Sequence, residues 1–159
     1  MTTTNDLTLE QQATNAATMT HIRRVQFYLH VFVRAILDRA DVHDDSKLAP
    51  PEVVMFTEYT AKLAGMTYGS PEYEQCKKEM GPALAHHYAN NRHHPEHFKN
   101  GIDDMTLLDL VEMFCDWKAA TERHNDGNLR KSIEHNADRF EMSPQLVKIF
   151  ENTVDLLGG

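Results

Sequence analysis

A histidine and an aspartate stand side by side at residues 43 and 44, in the sequence His-Asp-Asp-Ser-Lys. An imidazole nitrogen and a carboxylate oxygen are both good ligands for zinc, manganese or iron, so neighbours of these types can bind one divalent cation. Lys47 follows three residues after Asp44. The pair predicts a metal site, and a polar turn between two helices is the competing interpretation of so short a motif.

A second concentration of histidines lies in residues 85–98, AHHYANNRHHPEHF. The apolar stripe that includes Met80 and Leu84 continues through His87, whereas His86 points to one side. His94 precedes a proline, so its backbone should be extended and its side chain could reach back toward a site. A single histidine in a loop is more often exposed to solvent than bound to a metal. Five histidines so close together nevertheless favour the interpretation that one or two of them belong to the site. The five are His86, His87, His93, His94 and His97.

The segment HDDSK resembles the HDxGK signature of the HD superfamily of metal-dependent phosphohydrolases, which are all-α proteins. This resemblance implies a further histidine ligand upstream, for which His21 and His30 are the candidates. At 100° per residue, His21 lies about 50° from the centre of the helical stripe that starts at Ile22, and His30 lies about 130° away. His21 is therefore the expected ligand.

The resemblance also implies an aspartate ligand far downstream. Asp116, in FCDWKAATERHNDGN, resembles the aspartate of the family's closing helix, and Asp109 on the same face is the alternative. A solvated acidic face made by Asp109, Glu112 and Asp116 is the competing interpretation. The combination of HDxSK, HHxxxNxHHPEH and DLVEMFCDWKAA resembles a little-characterised group of HD-like proteins of bacteria and their phages, over about residues 18–150.

These resemblances imply an enzyme that hydrolyses a nucleotide or a related small phosphoester with one or two divalent metal ions. The implied metal ligands are His21, His43, Asp44, His87 and Asp116. Lys47 and Arg92 would neutralise phosphate charge, His87 or His94 would protonate the leaving oxygen, and His93 and His97 would contact the substrate. Two other functions stay open: an HD-like di-iron oxygenase, and a non-enzymatic helical protein that binds metal or a partner.

Composition narrows the class of protein. The chain has 159 residues, 41% of them hydrophobic and 25% charged, which predicts one globular domain. A net charge of −8 argues against general nucleic-acid binding. The sequence lacks a signal-peptide pattern and any apolar run of about 20 residues, so we expect no membrane insertion and a cytoplasmic location. The apolar helices and the eight methionines would allow a homodimer.

The elements that must position these residues are all helical. A stripe made by Ile22, Val25, Leu29, Phe32 and Ile36 predicts a core helix over about 18–40, preceded by a peripheral segment 1–17. Further helices are predicted over 51–64, from Ser70 onward with a break near Gly81-Pro82, over 104–123, 128–140 and 145–157. The sequence therefore predicts an all-α, single-domain HD-like bundle of six or seven helices.

Overall fold

A computed structural model of the chain describes residues 7–64, 70–123 and 127–158, and within these ranges the structure is all-α, as predicted. Seven α-helices are described: α1 (Leu9–Ala40), α2 (Glu52–Ala64), α3 (Pro71–Glu79), α4 (Gly81–Asn90), α5 (Leu107–Thr121), α6 (Leu129–Arg139) and α7 (Pro144–Thr153). Short 3-10 turns lie at Asp45–Leu48, Pro95–His97, Gly101–Asp104 and Val154–Leu157. The contacts divide the chain into two compact units, Met1–Asp41 and Val42–Gly159.

Helix α1 is longer than predicted and is not a core helix. It begins at Leu9 because Thr8 and Gln11 form a reciprocal capping box, so most of the expected peripheral segment is helical. No described residue of α1 is buried, and Ile22, Val25, Leu29 and Phe32 are 37–59% exposed. The core prediction is wrong because α1 is the only described element of its unit, so the unit offers no second element against which the stripe could pack.

Local signals set the helix limits in the second unit. The break near Gly81-Pro82 is confirmed: α3 ends at Glu79 and α4 begins at Gly81, with the proline in its first turn, where no intrahelical N–H is needed. The Ser143 side chain caps α7 by accepting a hydrogen bond from the backbone N–H of Leu146. Gly158, at φ +70°, ends the last turn in the left-handed conformation that glycine adopts without strain.

Two hydrophobic clusters hold the second unit together. The larger one joins α5, α6 and α7 around Met113, Ile133, Phe150 and Val154, with Phe114 stacked on Phe150 at a ring distance of 5.0 Å. The smaller one joins α2, α3 and α4 and consists of Tyr59, Cys76 and Met80, with Met55, Phe56 and Leu84 packed against it. No described helix is long and apolar enough to cross a membrane.

Candidate metal site

His43 and Asp44 lie between the end of α1 and the 3-10 turn Asp45–Leu48. Asp44 has a φ of +59°, in the left-handed region that aspartate enters more readily than most residues. This conformation starts the turn that carries Lys47, whose ammonium forms an ion pair with Asp44 Oδ2. The Asp44 carboxylate is therefore already paired, through one of its two oxygens, with the Lys47 ammonium.

Helix α4 and the loop after it supply three more histidines. His87 lies in the last turn of α4 and is buried, and the helix ends at Asn90. His93 is 1% exposed. His94 has the extended backbone expected before a proline, with φ −96° and ψ 126°, and its ring contacts that of His87. The prediction that His94 reaches back from an extended segment therefore agrees with its position.

Helix α5 has one face that packs in the hydrophobic core and another that carries acidic side chains. Met113, Phe114 and Trp117 face the larger hydrophobic cluster. Glu112 and Asp116 are one turn apart, and their side chains are 12% and 28% exposed. The solvated acidic face considered from the sequence is therefore absent: Asp109 is fully buried, and the other two carboxylates contact His43.

Two overlapping sets of side chains bring ligand atoms within 4.8 Å of one another. The first ligand group contains Asp44, His87, His93 and His94, and the second contains His43, Asp44, His93 and Asp116. Asp44 and His93 belong to both. Histidine nitrogens mixed with carboxylate oxygens form the donor set that suits zinc, manganese or iron.

Four distances that involve Asp44 or His43 are close to the edges of a coordination shell, whereas His87 Nε2 and His94 Nε2 lie within hydrogen-bond distance, at 2.8 Å. Asp44 Oδ1 lies 3.4 Å from His87 Nε2 and 3.5 Å from His93 Nε2. His43 Nε2 lies 3.5 Å from Asp44 Oδ2 and 3.8 Å from Asp116 Oδ1. These separations exceed the usual hydrogen-bond range. Two atoms that are each about 2.1 Å from a tetrahedral zinc ion lie about 3.4 Å apart, so the spacing fits ligands of a shared ion.

The shared residues also carry buried polar atoms that lack hydrogen-bond partners among the described residues. Asp44 Oδ1 and both ring nitrogens of His93 are buried without a hydrogen bond, although His93 Nδ1 has Glu112 Oε1 as a close neighbour at 3.1 Å. Burying such atoms unpaired costs about 1–3 kcal/mol each, and native proteins keep few of them. A cation between Asp44 Oδ1 and His93 Nε2 would offset that cost.

The titration of the ring nitrogens favours metal binding in the first ligand group. Burial, together with the charges of His93 and His87, lowers the pKa of His94 to about 3. Burial and the nearby Lys47 ammonium also lower the pKa of His87. Both rings are therefore neutral at pH 7 and keep a lone pair, which a metal ligand needs. A neutral His94 with so low a pKa is better suited to ligation than to proton donation.

In the second ligand group, by contrast, His43 and the two carboxylates are charged at neutral pH. The carboxylates of Asp116 and Glu112 raise the pKa of His43 to about 10. Burial alone would raise the pKa of Asp44 and of Asp116, but Lys47 on the first and His43 on the second outweigh burial and lower both values. Both carboxylates are ionised at neutral pH, so a cation at this site meets two negative ligands.

Several predicted site residues have other positions or partners. His21 and His30 are exposed on α1 in the first unit, and both ligand groups consist of residues of the second unit alone. Asp109 binds the backbone N–H and hydroxyl of Thr106 and the guanidinium of Arg92, so of the two aspartates considered, Asp116 is the one in a ligand group.

The remaining basic residues of the histidine loop are likewise engaged. Arg92 makes two hydrogen bonds to Asp109, at 3.2 and 3.3 Å, and its guanidinium lies over the Phe98 ring. His97 Nδ1 lies 2.8 Å from the backbone carbonyl of Tyr88. Their roles in substrate binding stay predictions, and the charge of Arg92 is already compensated by a buried carboxylate.

Sequence reasoning missed three contributors. His93 was expected only as a substrate contact, yet it belongs to both ligand groups. Glu52 and Glu112 were given no role at the site, although each contacts a ligand histidine. No periodicity could place His93, because α4 ends before it, and an acidic residue in the first turn of a helix is ordinarily explained by the helix dipole.

The chain matches a family described as a family of unknown function (DUF5662) over residues 10–156, a range that includes every residue of both ligand groups. No curated protein and no solved structure matches it. The function therefore has to be argued from the chemistry of the site.

Proposed function

The chain belongs to this family of unknown function, DUF5662, and from its ligand groups we propose that it is a metal-dependent phosphohydrolase acting on a nucleotide or a related small phosphoester. The observation that carries the proposal is the pair of overlapping ligand groups with buried, unpartnered atoms on Asp44 and His93. Two groups that share two members could hold one ion or two.

A divalent ion bound by these side chains would lower the pKa of a coordinated water toward 7 and supply hydroxide at neutral pH. The protein's own residues would do the rest. Lys47 borders the ligand groups and is half-exposed, so its ammonium could turn from Asp44 to an entering phosphate oxygen. In a protein with a net charge of −8, this local cation and the bound ion would attract the anionic substrate.

Hydrolysis is favoured over the other candidate functions by the resemblance of HDDSK to the HD signature and by the lysine beside the ligands. The same histidine-rich donor set would also suit iron, so a di-iron oxygenase is the second candidate. A non-enzymatic metal-binding protein is the third. Metal identity and a requirement for oxygen distinguish the three.

The test combines elemental analysis of the purified protein with a phosphate-release screen. Nucleoside mono- and triphosphates and cyclic nucleotides are supplied with Mn²⁺, Fe²⁺, Zn²⁺ or Mg²⁺, with and without oxygen. We expect bound metal and oxygen-independent phosphate release. The absence of both bound metal and phosphate release with every ion would overturn the proposal, and product formation only with oxygen would favour the di-iron oxygenase.

Asp44→Asn is the decisive variant because asparagine keeps the shape of the side chain and also adopts the left-handed conformation. It removes the charge that both ligand groups share. We expect metal content and activity to be lost while the fold is kept. Asp138→Asn is the matched control, since Asp138 is exposed on α6 and belongs to neither group.

A further inference from the structure

Glu52 is a carboxylate with no solvent exposure, at the first residue of α2. Its two oxygens lie 2.7 Å from His86 Nδ1 and 2.9 Å from His87 Nδ1. A carboxylate oxygen within hydrogen-bond distance of a ring nitrogen accepts a hydrogen bond from it. The two short contacts therefore indicate a proton on Nδ1 of each histidine.

The neighbouring amide of Asn91 supports this assignment for His87. Its nitrogen lies 2.9 Å from His87 Nδ1, but also 2.7 Å from Ser46 Oγ and 2.8 Å from the His87 carbonyl oxygen. An amide nitrogen has two protons, and the two oxygen acceptors account for both. The Nδ1 proton of His87 is thus donated to Glu52, and its Nε2 is left unprotonated.

His87 Nε2 points into the first ligand group. It lies 2.8 Å from His94 Nε2, where it can accept a hydrogen bond, and 3.4 Å from Asp44 Oδ1. A ring whose Nδ1–H is fixed by a carboxylate presents the lone pair of Nε2 in a set direction, and the carboxylate raises its basicity as a ligand.

Glu112 makes the corresponding contact in the second ligand group. Its Oε1 accepts a hydrogen bond from His43 Nδ1 at 2.9 Å. The same oxygen lies 3.1 Å from Nδ1 of His93, the residue that both groups share. His43 Nε2 is thereby directed at Asp44 and Asp116.

We propose that Glu52 and Glu112 are positioning residues of the metal site, which hold the Nδ1 protons of His87 and His43. Nε2 of His87 can then bind an ion directly, and Nε2 of His43 can do so once metal binding has released its own proton. This inference rests on the proposed metal site and assigns the carboxylates to different halves of it. His87 belongs only to the first ligand group and His43 only to the second. Glu52 therefore positions a ligand of the first group, and Glu112 positions a ligand of the second group and also lies close to His93.

The first readout is Zn²⁺ affinity of the metal-free full-length chain, measured by competition with a chromophoric chelator. Loss of a carboxylate behind a ligand histidine typically weakens metal binding about 10–100-fold. We expect losses of that size in Glu52→Gln and in Glu112→Gln. Glu134→Gln, at an exposed position on α6, is the control and should bind like the unmodified chain.

The second readout is the tautomer of His87 in the metal-free protein, observed through long-range proton–nitrogen NMR couplings of the ring. We expect Nδ1–H in the unmodified chain and in Glu112→Gln, and a shift toward Nε2–H in Glu52→Gln. If a Gln variant does not fold, Glu52→Asp or Glu112→Asp replaces it, since aspartate keeps the charge but withdraws it by one methylene.

The two proposals fail in different ways. If the unmodified chain binds no Zn²⁺, the metal site of the proposed function is wrong, and the tautomer of His87 still tests the role of Glu52. If the unmodified chain binds Zn²⁺ but both Gln variants bind it equally well, the positioning role is overturned and the metal site stands. Lower stability of the variants with unchanged affinity and tautomer would make the two carboxylates structural only, which also overturns it.

Discussion

At the scale of single residues, the stability of the folded protein depends on the protonation of His43. The adjacent Asp116 and Glu112 carboxylates raise the pKa of its ring to about 10, from an ordinary value of 6.5. A group whose pKa is raised in the folded state stabilises that state fully below the unfolded pKa and loses its contribution as pH rises through the folded pKa. The stabilising charge of His43 should therefore fade between pH 6.5 and about 10.

We predict that the metal-free protein loses stability as the pH rises from about 7 to about 8.5, with a slope of at most about 1.4 kcal/mol per pH unit. Within this window His87 and His94 are already neutral, and the Cys115 thiol, whose pKa is raised by burial, is still protonated. Urea unfolding in the presence of a chelator measures the slope. His43→Gln should flatten it, and an equal slope in that variant would contradict the prediction.

Lys47 is the residue whose proposed role concerns substrate rather than metal. Its ammonium pairs with Asp44 and lies 5.8 Å from the centre of the Phe56 ring. If it stabilises charge on the transferring phosphate, Lys47→Gln should lower kcat/KM about 100-fold while Zn²⁺ affinity stays close to that of the unmodified chain.

The measurement is phosphate release from the best substrate found in the screen. Lys131→Gln, an exposed change on α6, is the control. A Lys47→Gln enzyme with unimpaired kcat/KM would remove the lysine from the mechanism.

At the scale of elements, α5 assigns its two aspartates to different tasks. Asp109 completes the capping box with Thr106 and binds Arg92, whereas Asp116 contacts His43, which lies before α2 in the chain. We predict that Asp109→Ala lowers the free energy of unfolding by about 2–4 kcal/mol, because a cap is lost and Arg92 is left beside an empty acceptor position.

The comparison with Asp116→Asn makes this prediction specific. The Asp116 variant should lose Zn²⁺ affinity and keep most of its stability, whereas a folded Asp109→Asn variant should bind Zn²⁺ normally. Denaturant titrations and chelator competition measure the two effects. Weakened metal binding in Asp109→Asn without an effect of Asp116→Asn would reverse the assignment of the two aspartates.

Helix limits were the part of the fold most open to prediction, because their signals act within a few residues. The helix predicted over 145–157 agrees with α7 and the turn after it, which Ser143 and Gly158 delimit. The start of α1 was missed because the capping box of Thr8 and Gln11 was not recognised. The wrong core assignment of α1 has a different cause: an apolar stripe indicates which residues could be buried, not which element buries them.

At the scale of the whole molecule, the candidate site depends on contacts between distant segments. His87 and His94 could be singled out from helix phase and from Pro95, which are local constraints. Glu52 lies 34 and 35 residues from the two histidines it contacts, and the packing of α2 against α4 brings them together. Nothing in the sequence near Glu52 indicates that pairing, so a single sequence could predict ligands but not the carboxylates behind them.

This dispersal of ligands makes metal binding a test of the folded second unit. The ligand groups draw on the segment at 43–44, on α4 with its following loop, and on α5, so an unfolded chain does not assemble them. At a free Zn²⁺ concentration 100 times its dissociation constant, the free energy of unfolding should rise by about 2.7 kcal/mol, with a higher thermal midpoint.

Because a chain of net charge −8 also attracts cations loosely, the titration is repeated at high salt, which screens exposed charges more than buried ones. Asp138→Asn should be stabilised like the unmodified chain and Asp44→Asn should not, whereas equal stabilisation of both variants would mean that zinc binds outside the ligand groups.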